Sequence, residues 1–307
     1  MIEMLAKRAE HRRRKEKSVV MEKSRDMVAS LEAEGLIREL QIDCLPIDPA
    51  AIAKSLGILV QPKRTRDGVS GMLIRVENEF GIAYATHIAS EGFKRFSIAH
   101  ELGHFRIPGH IDAVLAHDNI HESHAGSPKG DPHEREADRF AASLLMPNDL
   151  FVREMNKLEN GLRAIEALAK RCITSLLAAA NRYVHKAKLP VAMIVSDGTS
   201  IDYCFMSEPL RDFENLEWPR KGDRIPTGSE TEAFNSDPSS VQRGRRVEAE
   251  VDLRLWFGGE REIPAAEEIV GLGRYGKTLT ILWSEVFADD EDEEAELEEA
   301  WEPRFRR

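Results

Sequence analysis

Cysteine is scarce in this sequence of 307 residues, and long apolar stretches and an excess of positive charge are missing from it. Its three cysteines stand far apart, which excludes a disulfide framework and a cysteine-based metal motif. These cysteines are Cys44, Cys172 and Cys204. The net charge of −11 argues against a general nucleic-acid coat, although a local basic patch could still bind one. A hydrophobic content of 42% is enough for a sizeable core, and the length suggests two domains.

The sequence also lacks the signals of a membrane or secreted protein. No apolar run approaches the ~20 residues that a membrane-spanning helix needs. The first residues carry charge by Lys7 and have no apolar centre, so we expect no secretory signal. We therefore expect a cytoplasmic protein.

Turn and cap residues predict a hairpin followed by a long helix. Met72–Val76 and Gly81–Ala85 have the composition of two strands joined by a tight turn. Ser90 is a suitable N-terminal cap for a helix over 92–106. Pro108 ends this helix because proline cannot continue it.

A polar stretch separates this helix from the next one. Residues 109–131 are rich in histidine and are punctuated by glycine and proline, which predicts a loop. Asp131 and Pro132 provide the cap and the first residue of a second helix. Its apolar residues recur at helical spacing up to Pro147.

The long helix carries the pattern H-E-x-x-H as His100, Glu101 and His104. Residues i and i+4 lie on one face of a helix, so the two imidazoles can bind one Zn²⁺ ion. Glu101 follows His100 directly, where it can take a proton from a water in the open position of the metal. The pattern alone is not decisive, because chance produces it in roughly a few per cent of such chains. The alternative is two surface histidines on an ordinary helix.

A hydrolytic zinc site needs a third protein ligand, and the second helix offers carboxylates for it. Glu134 and Asp138 stand four residues apart and face the same way. We predict Glu134 as the third ligand and Asp138 as the partner that orients a ligand histidine, His100. Glu136 is the competing ligand. Because it points to another side of the helix, we expect it to be solvated.

Further side chains could stabilise the oxyanion that forms when a peptide carbonyl is attacked. His110 is one candidate, and Tyr84 on the edge of the predicted hairpin is another. The other histidines considered are His117, His121, His124 and His133. For each histidine the alternative is a solvated side chain in a loop beside the metal. The hairpin edge itself could hold the substrate as an added strand.

Two segments together resemble the ImmA/IrrE family of metallopeptidases. The first runs from Arg95 to His104, and the second runs from Glu134 to Pro147 and ends in Leu-Leu-Met-Pro. The loop that contains Phe105–His110 is similar as well. The resemblance covers residues 45–190 well and the C-terminal half more loosely. The ligand arrangement also looks like that of zinc peptidases of the thermolysin type, in which the ligand glutamate and the orienting aspartate are four residues apart.

The resemblance implies a zinc-dependent endopeptidase that cleaves a helix-turn-helix transcriptional repressor in a bacterial stress or mobile-element response. One zinc ion per chain would be held by His100, His104 and Glu134, with Glu101 as the base and Asp138 as the orienting residue. Manganese or iron remain alternatives to zinc. The expected partner is this protein substrate, and no membrane partner is expected.

The expected fold class is α+β. It combines a mostly helical zincin-like peptidase domain, which contains a small β-hairpin or sheet, with a C-terminal α+β regulatory domain that resembles a GAF fold in one relative. The expected parts are a charged helical arm (1–38), the zinc peptidase domain (39–155), a helix-turn-helix-like region (156–188), the regulatory domain (189–286) and an acidic disordered tail (287–307).

Four strands are predicted after Pro190, where the composition changes. They are Val191–Val195, Ile201–Met206, Val247–Phe257 and Lys277–Trp283. The pattern G-x-G-x-x-G at Gly271–Gly276 is interpreted as a turn. A dinucleotide site would need a helix after it, whereas a strand is expected here.

A DNA-binding regulator is the alternative from another class of protein. Ile165–Tyr183 has the rhythm of a helix-turn-helix, with Thr174 or Ser175 as the cap of its second helix. Its basic content is modest, and packing between domains is the commoner use of such a helix pair. In this alternative the zinc site is structural or vestigial. Glu101 argues against it, because a structural site needs no base.

Overall fold

The computed structural model describes residues 24–65, 68–124 and 131–288. The chain divides into two compact units. The first unit comprises the chain up to Glu154 together with Lys170–Ser175, and the second comprises Met155–Ala169 and the chain from Leu176 onward. Most of the predicted N-terminal arm and of the acidic tail lies outside the described residues. The domain boundaries drawn from the sequence therefore stay predictions.

The first unit combines helices with one mixed sheet. Its helices are α1 (described over 24–39), α2 (Pro49–Ser55), α3 (Glu91–Arg106), α4 (His110–Val114), α5 (Pro132–Leu145) and α6 (Asn148–Met155). Its strands are β1 (Leu59–Lys63), β2 (Val69–Val76), β3 (Glu79–Ala85) and β4 (Ile120–His124). The strand order is β1-β3-β2-β4, and only β1 and β3 run parallel.

The predicted hairpin and both predicted helices are present. Strands β2 and β3 pair antiparallel, with Val76 opposite Glu79 at the turn. Ser90 caps α3, because its side chain accepts a hydrogen bond from the backbone N–H of Phe93. Asp131 caps α5 in the same way. Local cap chemistry thus sets where the two long helices of this unit begin.

The stretch 109–131 was predicted as a loop, and this prediction is wrong for part of it. It contains α4 and β4, and β4 pairs antiparallel with β2 at the end of the sheet. His121 lies opposite Leu73 of β2, which belongs to the buried core. Directly opposite residues share a face of the sheet, so His121 points towards the helices. Strand β4 is short and polar and has no apolar alternation, which is why the sequence pattern did not reveal it.

Helix α1 belongs to the core of the first unit, although the sequence predicts a charged arm up to residue 38. Ala29, Ala33 and Leu36 are fully buried, in one hydrophobic cluster with Leu102 of α3 and Phe140 of α5. These three positions follow helical spacing. Because many charged residues surround these positions, the composition of the segment does not reveal its narrow apolar stripe.

Helix α3 approaches α5 closely at Gly103. A Cβ atom at this position would lie 3.2 Å from Cα of Ala137 and 3.2 Å from Cβ of Phe140. A larger residue would push the helices apart. Glycine therefore lets α3 bring its histidines within reach of the carboxylates on α5.

The second unit is built on a five-stranded antiparallel sheet of order β6-β5-β9-β8-β7. The strands are β5 (Val191–Asp197), β6 (Ser200–Met206), β7 (Arg246–Asp252), β8 (Pro264–Gly271) and β9 (Thr278–Trp283). The helices after residue 155 are α7 (Leu162–Cys172), α8 (Leu176–Val184), α9 (Glu208–Arg211), α10 (Glu230–Asn235), α11 (Pro238–Gln242) and α12 (Arg254–Phe257). This layout confirms the α+β class. The GAF-like character stays a prediction.

The predicted strand Val247–Phe257 is too long. It ends at Asp252, whose side chain accepts hydrogen bonds from the backbone N–H groups of Arg254 and Ile263 and so turns the chain into α12. Strand β8 was not predicted, although it lies between β7 and β9. Gly271–Gly276 spans the end of β8 and the following turn, in agreement with the interpretation of its glycine pattern. None of the described helices is both long and apolar enough to cross a membrane.

Candidate metal centre

Three side chains from two helices meet in the first unit. His100 and His104 extend from α3 and Glu134 extends from α5, and one ligand atom of each lies within 4.8 Å of the others. Both histidines are buried, and Glu134 is 12% exposed. These are the three residues predicted as ligands, and their cluster could bind a metal ion.

The distances between the donor atoms fit a tetrahedral ion. The two Nε2 atoms lie 3.1 Å apart. Glu134 places Oε2 3.4 Å from Nε2 of His100 and Oε1 3.3 Å from Nε2 of His104. Zinc–ligand bonds of about 2.0–2.1 Å at tetrahedral angles separate neighbouring ligand atoms by about 3.3 Å. Two imidazole nitrogens and a carboxylate are also donors that suit zinc, so the residues present fit this ion.

The electrostatics of the cluster favour positive charge between the donors. Burial raises the pKa of Glu134, but its contacts with His100, His104 and His121 outweigh burial and hold this pKa well below its usual range. Burial lowers the pKa of His100, yet Asp138 and Glu134 overcome this effect and raise it to about 10.

Glu101 is fully buried and close enough to His100, His121 and Glu134 to interact with them electrostatically. Neither of its carboxylate oxygens has a described residue in good hydrogen-bond geometry, although the side chain of Ser123 is near enough to lower its pKa. Burial raises the pKa of Glu101 to about 7, against the opposing charge of His100. The carboxylate lies over Gly71 of β2, where an added Cβ would come within 2.5 Å of Oε1. A carboxylate of this kind is suited to exchange a proton with a reactant near neutral pH.

Asp138 contacts the histidine that the sequence analysis assigned to it. Nδ1 of His100 lies 2.8 Å from Oδ1 of Asp138. An Nδ1–H donated to this carboxylate leaves the lone pair of His100 on Nε2, which faces the cluster. The Asp138 side chain is 59% exposed, so this contact lies where water can reach it.

Glu136 is not solvated, so that prediction is wrong. Its side chain is 3% exposed, pairs with Arg25 of α1, and lies 2.9 Å from Nε2 of His110. Helical periodicity correctly predicts that it faces away from Glu134. The sequence of α5 cannot show that α1 and α4 provide partners on that side.

His110 does not fit the predicted oxyanion role. Its ring is 1% exposed, and both ring nitrogens have partners: Nδ1 lies 3.3 Å from Nδ1 of His104, and Nε2 contacts Glu136. His110 stands six positions after His104, the spacing at which metzincins carry a third histidine ligand. Here the ring lies at the nitrogen of His104 that faces away from the cluster.

His121 was considered only as one of several loop histidines, but it contacts the cluster. Its Nε2 lies 2.9 Å from Oε1 of Glu134, and its ring centroid lies 4.6 Å from that of His104. Strand β4 brings it there, so only the histidine-rich composition of the segment pointed to it. Tyr84 lies on β3 opposite Gly71 and packs partly against the core. The prediction that it lies on a hairpin edge, where a substrate could add as a strand, is wrong, because β1 pairs with β3 and β4 pairs with β2. The oxyanion role of Tyr84 stays a prediction.

The helix pair, the donor cluster and the buried acid define a class of protein, the metallopeptidase-like domains with an H-E-x-x-H helix. Residues 53–183 match the family model Peptidase_M78, which is described as the IrrE N-terminal-like domain. This match contains both motifs that carry the resemblance to the ImmA/IrrE family and confirms it for this segment. The segment is therefore a zinc-metallopeptidase-like domain.

A solved structure extends the comparison beyond this segment. A transcriptional regulator from Mycobacterium tuberculosis has a TM-score of 0.54 and 15% sequence identity, with 83% of this chain and 75% of that chain covered. At this identity the likeness shows the fold alone. A comparison with curated proteins found no match.

Proposed function

We propose that this protein is a zinc-dependent endopeptidase that cleaves a protein substrate. The observation that carries the proposal is the fully buried carboxylate of Glu101, which has no described residue in good hydrogen-bond geometry and lies beside donors that fit zinc. Leaving a buried polar group without a partner costs about 1–3 kcal/mol, and more for a charged one. A structural metal site has no use for such a group, whereas a peptidase needs one as its base.

Each residue has a separate task in this mechanism. His100, His104 and Glu134 would hold zinc, which when bound supplies Lewis-acid polarisation of the peptide carbonyl. Glu101 accepts the proton of the attacking water and later delivers it to the leaving amine nitrogen. Asp138 orients the ring of His100 through Nδ1.

The substrate proposed from the family resemblance is a helix-turn-helix repressor of a bacterial stress or mobile-element response. Among the described strands, β4 ends the sheet next to β2 and carries His121 at the cluster. The outer edge of such a strand can pair with an extended segment of another chain. We therefore propose that cleavage occurs in an extended or flexible segment of the repressor.

A regulator with a structural or vestigial zinc site is the second candidate. It is supported by the similar solved structure, which is a transcriptional regulator, and by the consecutive helices α7 and α8 in the region predicted as helix-turn-helix-like. This candidate leaves the buried carboxylate of Glu101 without a purpose.

Zinc content and cleavage, measured on the same preparations of wild type and Glu101→Gln, separate the two candidates. The substrates are helix-turn-helix repressors of the organism that encodes this protein, together with a panel of peptides and folded proteins. Glu154→Gln is the matched control, because Glu154 is also buried in the first unit but pairs with Arg171. We expect similar zinc in all three proteins and a loss of cleavage by about 10²–10⁴-fold in Glu101→Gln alone.

Two other results would contradict the proposal. Zinc in all three proteins with cleavage in none would favour the regulator, which DNA binding by the same samples would support. A wild type that takes up no metal, even after reloading, would contradict the site itself.

A further inference from the structure

On the side of His104 that faces away from the donor cluster, a series of polar contacts links this histidine to residues of α4, α5 and α1. His110 of α4 places Nδ1 3.3 Å from Nδ1 of His104 and Nε2 2.9 Å from Oε2 of Glu136 on α5. Oε1 of Glu136 lies 2.5 Å from Nε of Arg25 on α1. The contacts thus run without interruption from a ligand histidine to a helix that begins the described chain.

The carboxylate of Glu136 determines the direction of the hydrogen bonds that link it through His110 to His104. An ionised carboxylate can only accept, so Nε2 of His110 carries the hydrogen that is donated to Glu136. In a neutral imidazole the other nitrogen then accepts, so Nδ1 of His104 must donate to Nδ1 of His110. This assignment leaves the lone pair of His104 on Nε2, the nitrogen that faces His100 and Glu134.

Burial makes these contacts difficult to replace with water. His104 is 0% exposed, His110 is 1% exposed and Glu136 is 3% exposed. A buried carboxylate needs a compensating charge, and Arg25 provides it from the surface, where its side chain is 44% exposed.

We propose that Arg25, Glu136 and His110 are positioning residues that fix the tautomer and the ring orientation of His104 for metal binding. The inference rests on the proposed function in one respect, since it takes the cluster as a metal site. It gives α1 a part in the metal centre, although this helix lies far from the H-E-x-x-H pattern in the chain.

The test measures zinc affinity by competition with a chelator. In His110→Phe the ring volume is retained and both hydrogen bonds are removed, and in Glu136→Gln the charge is removed. Changes in residues that orient a ligand weaken metal binding by about 10–100-fold, and we expect this loss in both variants. Glu154→Gln is the control, because it alters a buried glutamate of the same unit that pairs with Arg171. Its zinc affinity should equal that of the wild type.

A second variant pair and a spectroscopic measurement separate positioning from a purely structural role. Arg25→Lys keeps the charge and should retain most of the zinc affinity, whereas Arg25→Ala should lose part of it. Nitrogen-15 NMR of the zinc-loaded wild type should show the hydrogen of His110 on Nε2. This measurement needs no substitution, so it decides the matter even if a variant does not fold.

Two results would overturn the inference: wild-type zinc affinity in both His110→Phe and Glu136→Gln, or a hydrogen on Nδ1 of His110 in the wild type. Neither measurement involves peptide cleavage. A protein that binds zinc through this arrangement but cleaves nothing would therefore contradict the proposed peptidase and leave the positioning role intact.

Discussion

The two histidines of the candidate metal centre differ in the partner of Nδ1, the ring nitrogen that faces away from the donor cluster. His100 contacts Asp138, whose side chain is 59% exposed and belongs to the same helix as Glu134. His104 contacts His110, which is 1% exposed and is followed by Glu136. Water can replace part of an exposed contact, but it cannot enter a packed interior without a cavity. The two sides of the site should therefore differ in their tolerance of substitution.

The partners of the two histidines also differ in how far apart they lie in the sequence. On the side of His100, the orienting residue stands one helical turn from a ligand, so both can be read from one short motif. On the side of His104, the partners come from α4, α5 and α1, which only tertiary packing brings together.

The largest effect on zinc binding is expected from removing Glu134, the third proposed ligand. Glu134 contacts both ligand histidines, so Glu134→Ala should abolish stoichiometric zinc binding and with it all cleavage. Zinc content after dialysis gives the result, with Glu122→Ala, an exposed glutamate of β4, as the control. Stoichiometric zinc in Glu134→Ala would show that the third ligand is another residue.

The zinc affinities of Asp138→Asn and His110→Phe test whether the two sides of the site differ in their tolerance of substitution. The side-chain oxygen of asparagine can still accept the Nδ1–H of His100, and water reaches this exposed position. We therefore expect zinc affinity to fall by about 10-fold or less in Asp138→Asn, and by more in His110→Phe, within the usual 10–100-fold range for such residues. Equal losses of affinity would show that burial does not distinguish the two sides.

A smaller effect, on turnover alone, is expected from a substitution beside Glu101, the proposed base. In Gly71→Ala the new methyl group would come within 2.5 Å of Oε1 of Glu101, so the carboxylate must move. We expect a reduced turnover number, a smaller loss than in Glu101→Gln and unchanged zinc content. Gly81→Ala is the control on the neighbouring strand, since its nearest atom, the backbone oxygen of Leu59, would be 3.6 Å away. Equal turnover in Gly71→Ala and Gly81→Ala would contradict the placement of Glu101.

The second unit shows the same limit of sequence patterns. The apolar alternation from Val247 onward correctly predicts β7, but it continues in the sequence beyond the point where the strand ends. Asp252 ends the strand through hydrogen bonds to Arg254 and to Ile263, the second of which is remote in sequence. Strand β8 gives no clear alternation, because its last five residues are all buried in a strand that lies between two neighbours.

The sequence by itself determined the H-E-x-x-H helix, its cap at Ser90, the start of α5 and the spacing of Glu134 and Asp138. These features depend on helix periodicity and cap chemistry, which act over a few residues. Only the tertiary structure decided that Glu136 is buried, that His110 contacts His104, that His121 reaches Glu134 and that α1 is part of the core. Each of these depends on which elements pack together, and the free energy of packing comes from burial and from partners supplied by distant parts of the chain.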